Sequence, residues 1–362
     1  MKIAVFSYGL PVVGQKRGGI ERVAHDLSDE LARRGHAVEV WTHDPKPSGA
    51  AYEARPLPWK GFVGSWAGRR LTMGYLGNFL ATLPKYGRPD VIVAHGDSLL
   101  LPLLGRPVVR LMHGSALEEA LSATSPARSL MQFGVYAQEL LTGLTQTGCV
   151  AVSRNARRYN PFVRRVIPNG VNLSAFCADA ACKTVEPSVL FVGALDGRKR
   201  GRLLLEWFGR VVRARHPRAT LRMVCEPGPG AEGVTYHTGV SDEELAAMYR
   251  SAWVYASPSA YEGFGLPYLE ALASGTAVVT TPNPGSREVL GGGEYGRLVG
   301  DGDFGAAVAD LLGDAKGRSE LAARGLARAR EYSLAVMVDG YEELLEEVCA
   351  GRRRRRRVRG AA

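Results

Sequence analysis

The sequence predicts an α/β protein made of two doubly wound parallel sheets that face each other across a cleft. Three observations carry this expectation. Strand-like and helix-like segments alternate along the chain, and the alternation breaks at an irregular stretch and then starts again. The length, 362 residues, also exceeds what one hydrophobic core usually serves.

Lys2 to Ser7 is a short apolar run, as expected of a strand covered on both faces, and reads as a first strand rather than a signal peptide. A glycine- and proline-punctuated loop ends at Gly18-Gly19. Ile20, Val23, Ala24, Leu27 and Leu31 then recur at helical spacing, with Gly35 placed to end the helix. Ala37 to Thr42 is the next strand, and further strands are expected at Asp90–Ala94, Val108–Met112 and Cys149–Val152. Pro168-Asn169-Gly170 is a turn on composition alone.

After it, strands are expected at Val189–Gly193, Thr220–Cys225, Trp253–Ser257 and Ala277–Thr281. Helices are expected at Lys199–Arg215, Asp242–Arg250 and Leu266–Ser274. The end reads as helices at Phe304–Leu312, Ala315–Glu331 and Leu334–Val348. The expected organisation is an N-terminal domain over 1–170, a linker over 171–187 and a C-terminal domain over 188–333. A helix over 334–350, packing back towards the N-terminal domain, and a disordered arginine-rich tail over 351–362 follow.

Hydrophobic residues make up 46% of the chain and charged residues 23%, which excludes disordered and collagen-like classes. Of the formal net charge of +10, seven charges come from Arg352 to Arg357 and Arg359, which leaves +3 on the rest. A global basic surface for nucleic acid is therefore not indicated. Five cysteines in no metal or redox spacing suggest reduced thiols in a cytoplasmic protein, and no apolar run reaches the ~20 residues of a membrane span.

Parallel sheets of this kind bind ligands at the carboxyl ends of their strands, and four segments lie there. The strongest runs from Ser257 through Glu262-Gly263-Phe264-Gly265-Leu266-Pro267 to Glu270. Pro267 suits a first helical turn, so the amides of Phe264, Gly265 and Leu266 become donors at a positive helix end. Two carboxylates, Glu262 and Glu270, beside an anion site suit hydroxyl pairs rather than the phosphate itself. A ligand with phosphate in the middle and hydroxyl-rich ends fits, namely a nucleotide sugar. The plainer reading is a glycine-rich turn followed by a solvated helical glutamate; the combination outweighs it.

Two glutamates separated by seven residues around Glu-Gly-Phe-Gly-Leu-Pro resemble the signature of retaining glycosyltransferases of family 4, which have the two-Rossmann GT-B fold. The resemblance implies that Glu262 contacts the transferred sugar and Glu270 the nucleotide ribose, with Phe264 and Gly265 near the phosphates. Arg198 and Lys199, after the strand ending at Gly193, fall where the family places cations on the leaving diphosphate. The family's arginine position is Ala194 here, which leaves Arg198 to supply that charge. Gly18 and Gly19 resemble the family's N-terminal glycine loop, and Gly239-Val240-Ser241 its base-reading loop. His113 follows a strand where the family has a histidine near the transferred sugar, and His95 repeats that context on the acceptor side. Asp301-Gly302-Asp303 reads as a turn and helix cap rather than a metal motif, and no metal or other cofactor is expected.

The resemblance thus implies transfer of a hexosyl or N-acetylhexosaminyl group from a nucleoside diphosphate sugar, with retention and by front-face attack. The expected donor is uridine-linked, and the acceptor a soluble sugar, cyclitol or secondary metabolite. The alternative is a cell-envelope or lipid-linked glycan glycosyltransferase, including one that uses GDP-mannose. Further behind stand a nucleotide-sugar epimerase and a nucleic-acid or membrane binder driven by the arginine tail. Trp59, Trp66, Arg69 and Arg70 are candidates for a membrane-facing surface, and the arginine tail for peripheral contact with an anionic membrane at its inner face.

Overall fold

A computed structural model describes residues 1–12, 18–57, 63–66, 69–72, 87–96, 98–121 and 125–360. Contacts group the chain into two units. One holds Met1–Val12, Arg17–Pro168 and the chain from Met337 onward, and the other holds Asn169–Val336.

The first unit is a parallel sheet of β1 (Lys2–Ser7), β2 (Ala37–Thr42), β3 (Glu53–Pro56), β6 (Val91–His95), β7 (Val108–Met112), β8 (Gly148–Ala151) and β9 (Arg165–Val166). Its order is β3-β2-β1-β6-β7-β8-β9. A separate antiparallel hairpin joins β4 (Val63–Trp66) and β5 (Arg69–Thr72). The expected candidate Trp59 lies outside the described residues, as do the side chains of Trp66, Arg69 and Arg70.

Helix α1 (Gly19–Arg33) forms because Val23, Ala24, Leu27 and Leu31 share one buried stripe, and Gly35 at φ 90° stops the chain from continuing. Helices α2 (Ala116–Leu121), α3 (Pro126–Thr145) and α4 (Arg154–Arg158) follow β7 and β8. One core cluster centres on Phe6, Trp41, Ile92 and Val108.

The second unit has β10 (Ser188–Val192), β11 (Thr220–Val224), β12 (Val234–His237), β13 (Val254–Ser257), β14 (Ala277–Thr280) and β15 (Arg297–Leu298), all parallel, in the order β12-β11-β10-β13-β14-β15. This is the doubly wound order whose switch point lies between the first and fourth strands. Its helices are α5 (Gly201–Trp207, carried on to Arg215 through a π-turn), α6 (Asp242–Ser251), α7 (Leu266–Ala273), α8 (Pro284–Val289), α9 (Asp301–Gly313) and α10 (Ala315–Glu331). Phe191, Phe208, Leu221, Met223, Val254 and Phe304 fill the core, each fully buried and each contributing about 1.5–3 kcal/mol of apolar burial.

Helix α11 (Leu334–Gly360) begins in the second unit and continues in the first. There Arg34 pairs with Asp339 at 2.6 Å and Glu342 at 2.9 Å, and Gly340 lies against Ile167. The expectation of an ordered end at residue 350 followed by disorder is corrected, because the helical backbone runs on to Gly360. Arginine is a good helix former, and cations suit a helix C-terminus. Asp301 is corrected too. The cap of α9 is Gly300, and the Asp301 carboxylate is held by both terminal nitrogens of Arg200, at 2.7 and 2.9 Å.

No described helix is long and apolar enough to cross a membrane.

Candidate active site

At the switch point of the second sheet, the loops that leave β10 and β13 lie side by side. They bring Lys199, Arg198 and Glu262 together. One oxygen of Glu262 accepts from Lys199 Nζ at 2.5 Å and from Ser259 Oγ at 2.8 Å; the other accepts from Arg198 Nη1 at 2.8 Å. Glu262 is 6% exposed and the Lys199 side chain 14%. Burial alone would raise the Glu262 carboxyl, but the Lys199 ammonium and then the Arg198 guanidinium outweigh it, so the carboxyl is held below its usual range. Burial lowers the Lys199 amine despite the carboxylate beside it.

The two loops are fastened to each other and to the loop after β14. Ala260 N donates to Arg198 O at 2.8 Å, and Arg198 Nη1 also reaches Tyr261 O at 2.7 Å. Arg200, the one described non-glycine residue with positive φ, at 51°, donates to Pro258 O at 2.6 Å. Thr281 Oγ1 and Asn283 Nδ2 both donate to Ser259 O, and Asn283 Nδ2 also meets the Tyr268 hydroxyl at 2.9 Å. Gly285 N donates to Glu262 O at 2.9 Å. Ser259, Glu262, Thr281 and Asn283 are buried and partnered, so the carboxylate is held in a preformed position.

Gly265 caps α7 at φ 99°, a backbone region open to glycine, and a Cβ there would sit 2.5 Å from Tyr268 Cδ2. The amides of Phe264 and Gly265 donate to no acceptor among the described residues. Glu270 is 5% exposed in the second turn of α7, close enough to Lys199 to oppose the lowering of its amine. Gly263 and Leu266 are partly accessible beside them. Arg198, Lys199, Glu262, Gly263, Phe264, Gly265, Leu266 and Glu270 are thus one constellation.

Ala194 O instead accepts from Gly201 N at 3.2 Å, and Arg198 carries its charge to Glu262. The sequence reading kept carboxylate and cations in separate roles; the structure pairs them. Gly239, at φ 65°, and Val240 lead into α6, where Ser241 and Glu244 form a reciprocal cap. Ser259, Asn283, Gly285 and Arg200 were missed. Asn283-Pro284 carried a readable helix-start signal, whereas Ser259 and Arg200 carried none.

In the first unit, Gly18 is the N-cap of α1, and a Cβ on it would lie 3.0 Å from Glu21. Gly19 opens the helix. His113, just past β7, and His95, at the end of β6, form a stacked pair, with His95 Nδ1 3.0 Å from His113 Nε2. Burial lowers the basicity of both rings, that of His113 to about 4. The His113 imidazole therefore takes up its proton later in the folded chain than in the unfolded one. We expect the contribution of His113 to stability to be complete above pH 6.5 and to be lost as the pH falls towards 4, by roughly 3 kcal/mol. Urea unfolding at a series of pH values measures it. His113→Gln should flatten the slope, and an unchanged slope would refute the assignment.

Among the described residues no three His, Cys, Asp or Glu side chains gather so as to hold a metal ion.

Comparison with known proteins bears on each unit. Residues 17–175 match the family model described as Glycosyltransferase Family 4, and residues 186–314 match Glycosyl transferases group 1. The phosphatidyl-myo-inositol mannosyltransferase of Mycolicibacterium smegmatis is 34% identical over 212 residues, covering 52% of this chain and 54% of that protein. The protein of the same description from Mycobacterium tuberculosis H37Rv is 29% identical over 390 residues, 96% of each. The O-antigen chain mannosyltransferase B of Escherichia coli is 32% identical over 160 residues, 40% of this chain and 42% of that one. The chain spans little more than half the length of the first two relatives it matches, 54% and 59%.

Among solved structures, sucrose-phosphate synthase of Thermosynechococcus elongatus superposes with a TM-score of 0.78 at 21% identity, covering 96% of this chain and 99% of that one. Anabaena HepE in complex with UDP and glucose gives 0.73 at 16%, again over 96% and 99%. These likenesses identify the fold as GT-B.

Proposed function

We infer that this chain, a GT-B glycosyltransferase, moves a mannosyl group from a nucleoside diphosphate sugar to an acceptor hydroxyl with retention of configuration. The observation that supports this reading best is the Lys199–Glu262–Arg198 cluster, with its carboxylate buried, beside the Phe264 and Gly265 amides and Glu270. Cations and amides suit a diphosphate that gains charge as its glycosidic bond breaks, and the carboxylates suit hydroxyl pairs. The diphosphate would then compete with Glu262 for Lys199 and Arg198. Front-face attack, in which the leaving diphosphate takes the acceptor's proton, assigns this chain positioning and charge neutralisation and no nucleophile. His113 is proposed for hydroxyl recognition, Gly18 and Gly19 for close backbone approach to phosphate, and Gly239 and Val240 for the base.

The sequence reading placed a uridine-linked donor and a soluble acceptor first. The mannosyltransferase relatives support its alternative better: a GDP-mannose donor and a lipid-linked or cell-envelope acceptor. Calorimetric titration of GDP-mannose and UDP sugars, with chelator present, tests this. We expect GDP-mannose to bind and Glu270→Ala to weaken it at least tenfold (~1.4 kcal/mol). Binding of UDP sugars alone would restore the uridine reading, and binding of neither would overturn the assignment.

A further inference from the structure

Helix α3 is inside out. Its two buried positions, Glu139 and Thr142, are polar. Glu139 accepts from Ala116 N at 3.2 Å, and Thr142 accepts from the buried Arg110 guanidinium. Its outer face is apolar. Leu130, Phe133, Ala137, Leu141 and Leu144 recur at spacings of three and four, so at about 100° per residue they form one stripe. Leu130 is 75% exposed, Leu144 62%, and Leu121 at the end of α2 69%. Arg128 and Glu139 are the only charged residues of the helix. Scattered exposed leucines need no explanation, but a continuous stripe from Leu130 to Leu144 does.

The flank of the stripe is basic. Helix α4 presents Arg154, Arg157 and Arg158 to solvent, and Arg164 follows, also exposed. Helix α4 is held beside α2 and α3. Asn155 donates to Glu118 at 2.6 Å, Tyr136 Oη donates to Tyr159 O at 2.7 Å, and Gly143 lies against Phe162. Two glutamates of α2 oppose these arginines. Glu118 is bonded to Asn155, and Glu119 to Gln132 at 2.9 Å.

We propose that the outer face of α3, with the arginines of α4, docks the protein on an anionic lipid bilayer. Apolar side chains along a helix lying in the interface, with basic side chains reaching anionic headgroups, are the requirements of such contact. A second copy of the chain fits less well. The acidic groups beside the stripe, Glu118 and Glu119, are already bonded to Asn155 and Gln132, which leaves them less able to meet the arginines of a second copy. Helix α2 begins three residues past His113, so the surface is continuous along the chain with the segment assigned to hydroxyl recognition. A lipid-linked acceptor would therefore arrive at His113 from the bilayer, and that last clause alone rests on the proposed function.

The test is flotation of the full chain with vesicles of phosphatidylcholine alone and with about one third phosphatidylglycerol. Wild type should float with the anionic vesicles only. Leu130→Gln/Phe133→Gln/Leu141→Gln and Arg154→Gln/Arg157→Gln/Arg158→Gln should each lower partition at least tenfold, with circular dichroism and nucleotide-sugar binding unchanged. Partition that persists in both variants would assign the contact to the arginine tail and overturn the proposal. So would a wild-type dimer that the apolar variant converts to monomer, or a wild type that ignores anionic vesicles. A wild type that floats with them yet binds no nucleotide sugar supports the surface and refutes the donor reading instead.

Discussion

Glu262→Ala should lower stability by about 3 kcal/mol and transfer by at least a thousandfold. The carboxylate is the shared acceptor of Lys199, Arg198 and Ser259. Removing one partner of a buried ion pair typically costs about 3–5 kcal/mol, because the surviving charge is left without compensation. The low end of that range applies, since the Arg198 side chain is 53% exposed and regains water when released. Lys199 has no such exit. Burial already lowers its amine, and loss of the carboxylate lowers it further, so the lysine charge is held less firmly in the alanine variant. Under the proposed function, the variant would thus lose the carboxylate proposed to meet the sugar and weaken the cation proposed to meet the diphosphate. Glu262→Gln keeps the shape and the Ser259 bond, so it should unfold later than the alanine variant while remaining nearly as inactive. Denaturant unfolding and single-turnover transfer measure both effects. An alanine variant within about 1 kcal/mol and tenfold of wild type would show that the cluster is neither structural nor functional.

The second unit was the more legible in sequence, for a physical reason. Strands such as Val189–Val192 and Val254–Ser257 are buried on both faces, so their apolar runs stand out from the flanking loops. Beside the β4–β5 hairpin, the strands that sequence does not reveal are β3, β9, β12 and β15, which lie at sheet edges, are two to four residues long and carry polar residues such as Arg165 and Arg297. Within the site, Glu262, Glu270 and the Phe264-Gly265 turn were readable because their spacing is local. The pairing of Lys199 with Glu262 was not. It joins residues 63 positions apart through strand order, and neither residue alone announces its partner. His95 and His113 show the same limit. Two strand-end histidines were visible as separate candidates, but their stacking depends on β6 and β7 being neighbours in the sheet. The membrane-facing candidates were placed at aromatic and arginine-rich segments. The inside-out helix escaped notice because the period of its apolar residues looks the same whether the stripe faces the core or the solvent.

Gly285→Ala isolates the position of the Glu262 loop without touching any of its side chains. Gly285 lies in the first turn of α8, and its φ is not among the positive values of this chain, so the backbone itself accepts alanine there. The obstacle is contact. A Cβ would sit 2.5 Å from Phe264 O, 2.7 Å from Phe264 C and 2.9 Å from Glu262 O. All three are backbone atoms, so no rotamer change relieves the overlap and the loop from Glu262 to Phe264 has to move. That movement would also stretch the bond from Gly285 N to Glu262 O and shift the Phe264 and Gly265 amides from their present positions. Overpacking of this kind costs about 1–3 kcal/mol of stability. The larger effect is expected in the site, where we predict donor affinity at least tenfold weaker and a turnover loss approaching that of Glu262→Gln, because preorganised donors lose their value when displaced by about an ångström. Gly209→Ala is the control. It lies in the π-turn that continues α5, has nothing within 4 Å of the added carbon and should bind donor as wild type does. If Gly285→Ala also binds donor as wild type does, the backbone of this loop does not set the geometry of the site, and the amides of Phe264 and Gly265 are not phosphate ligands.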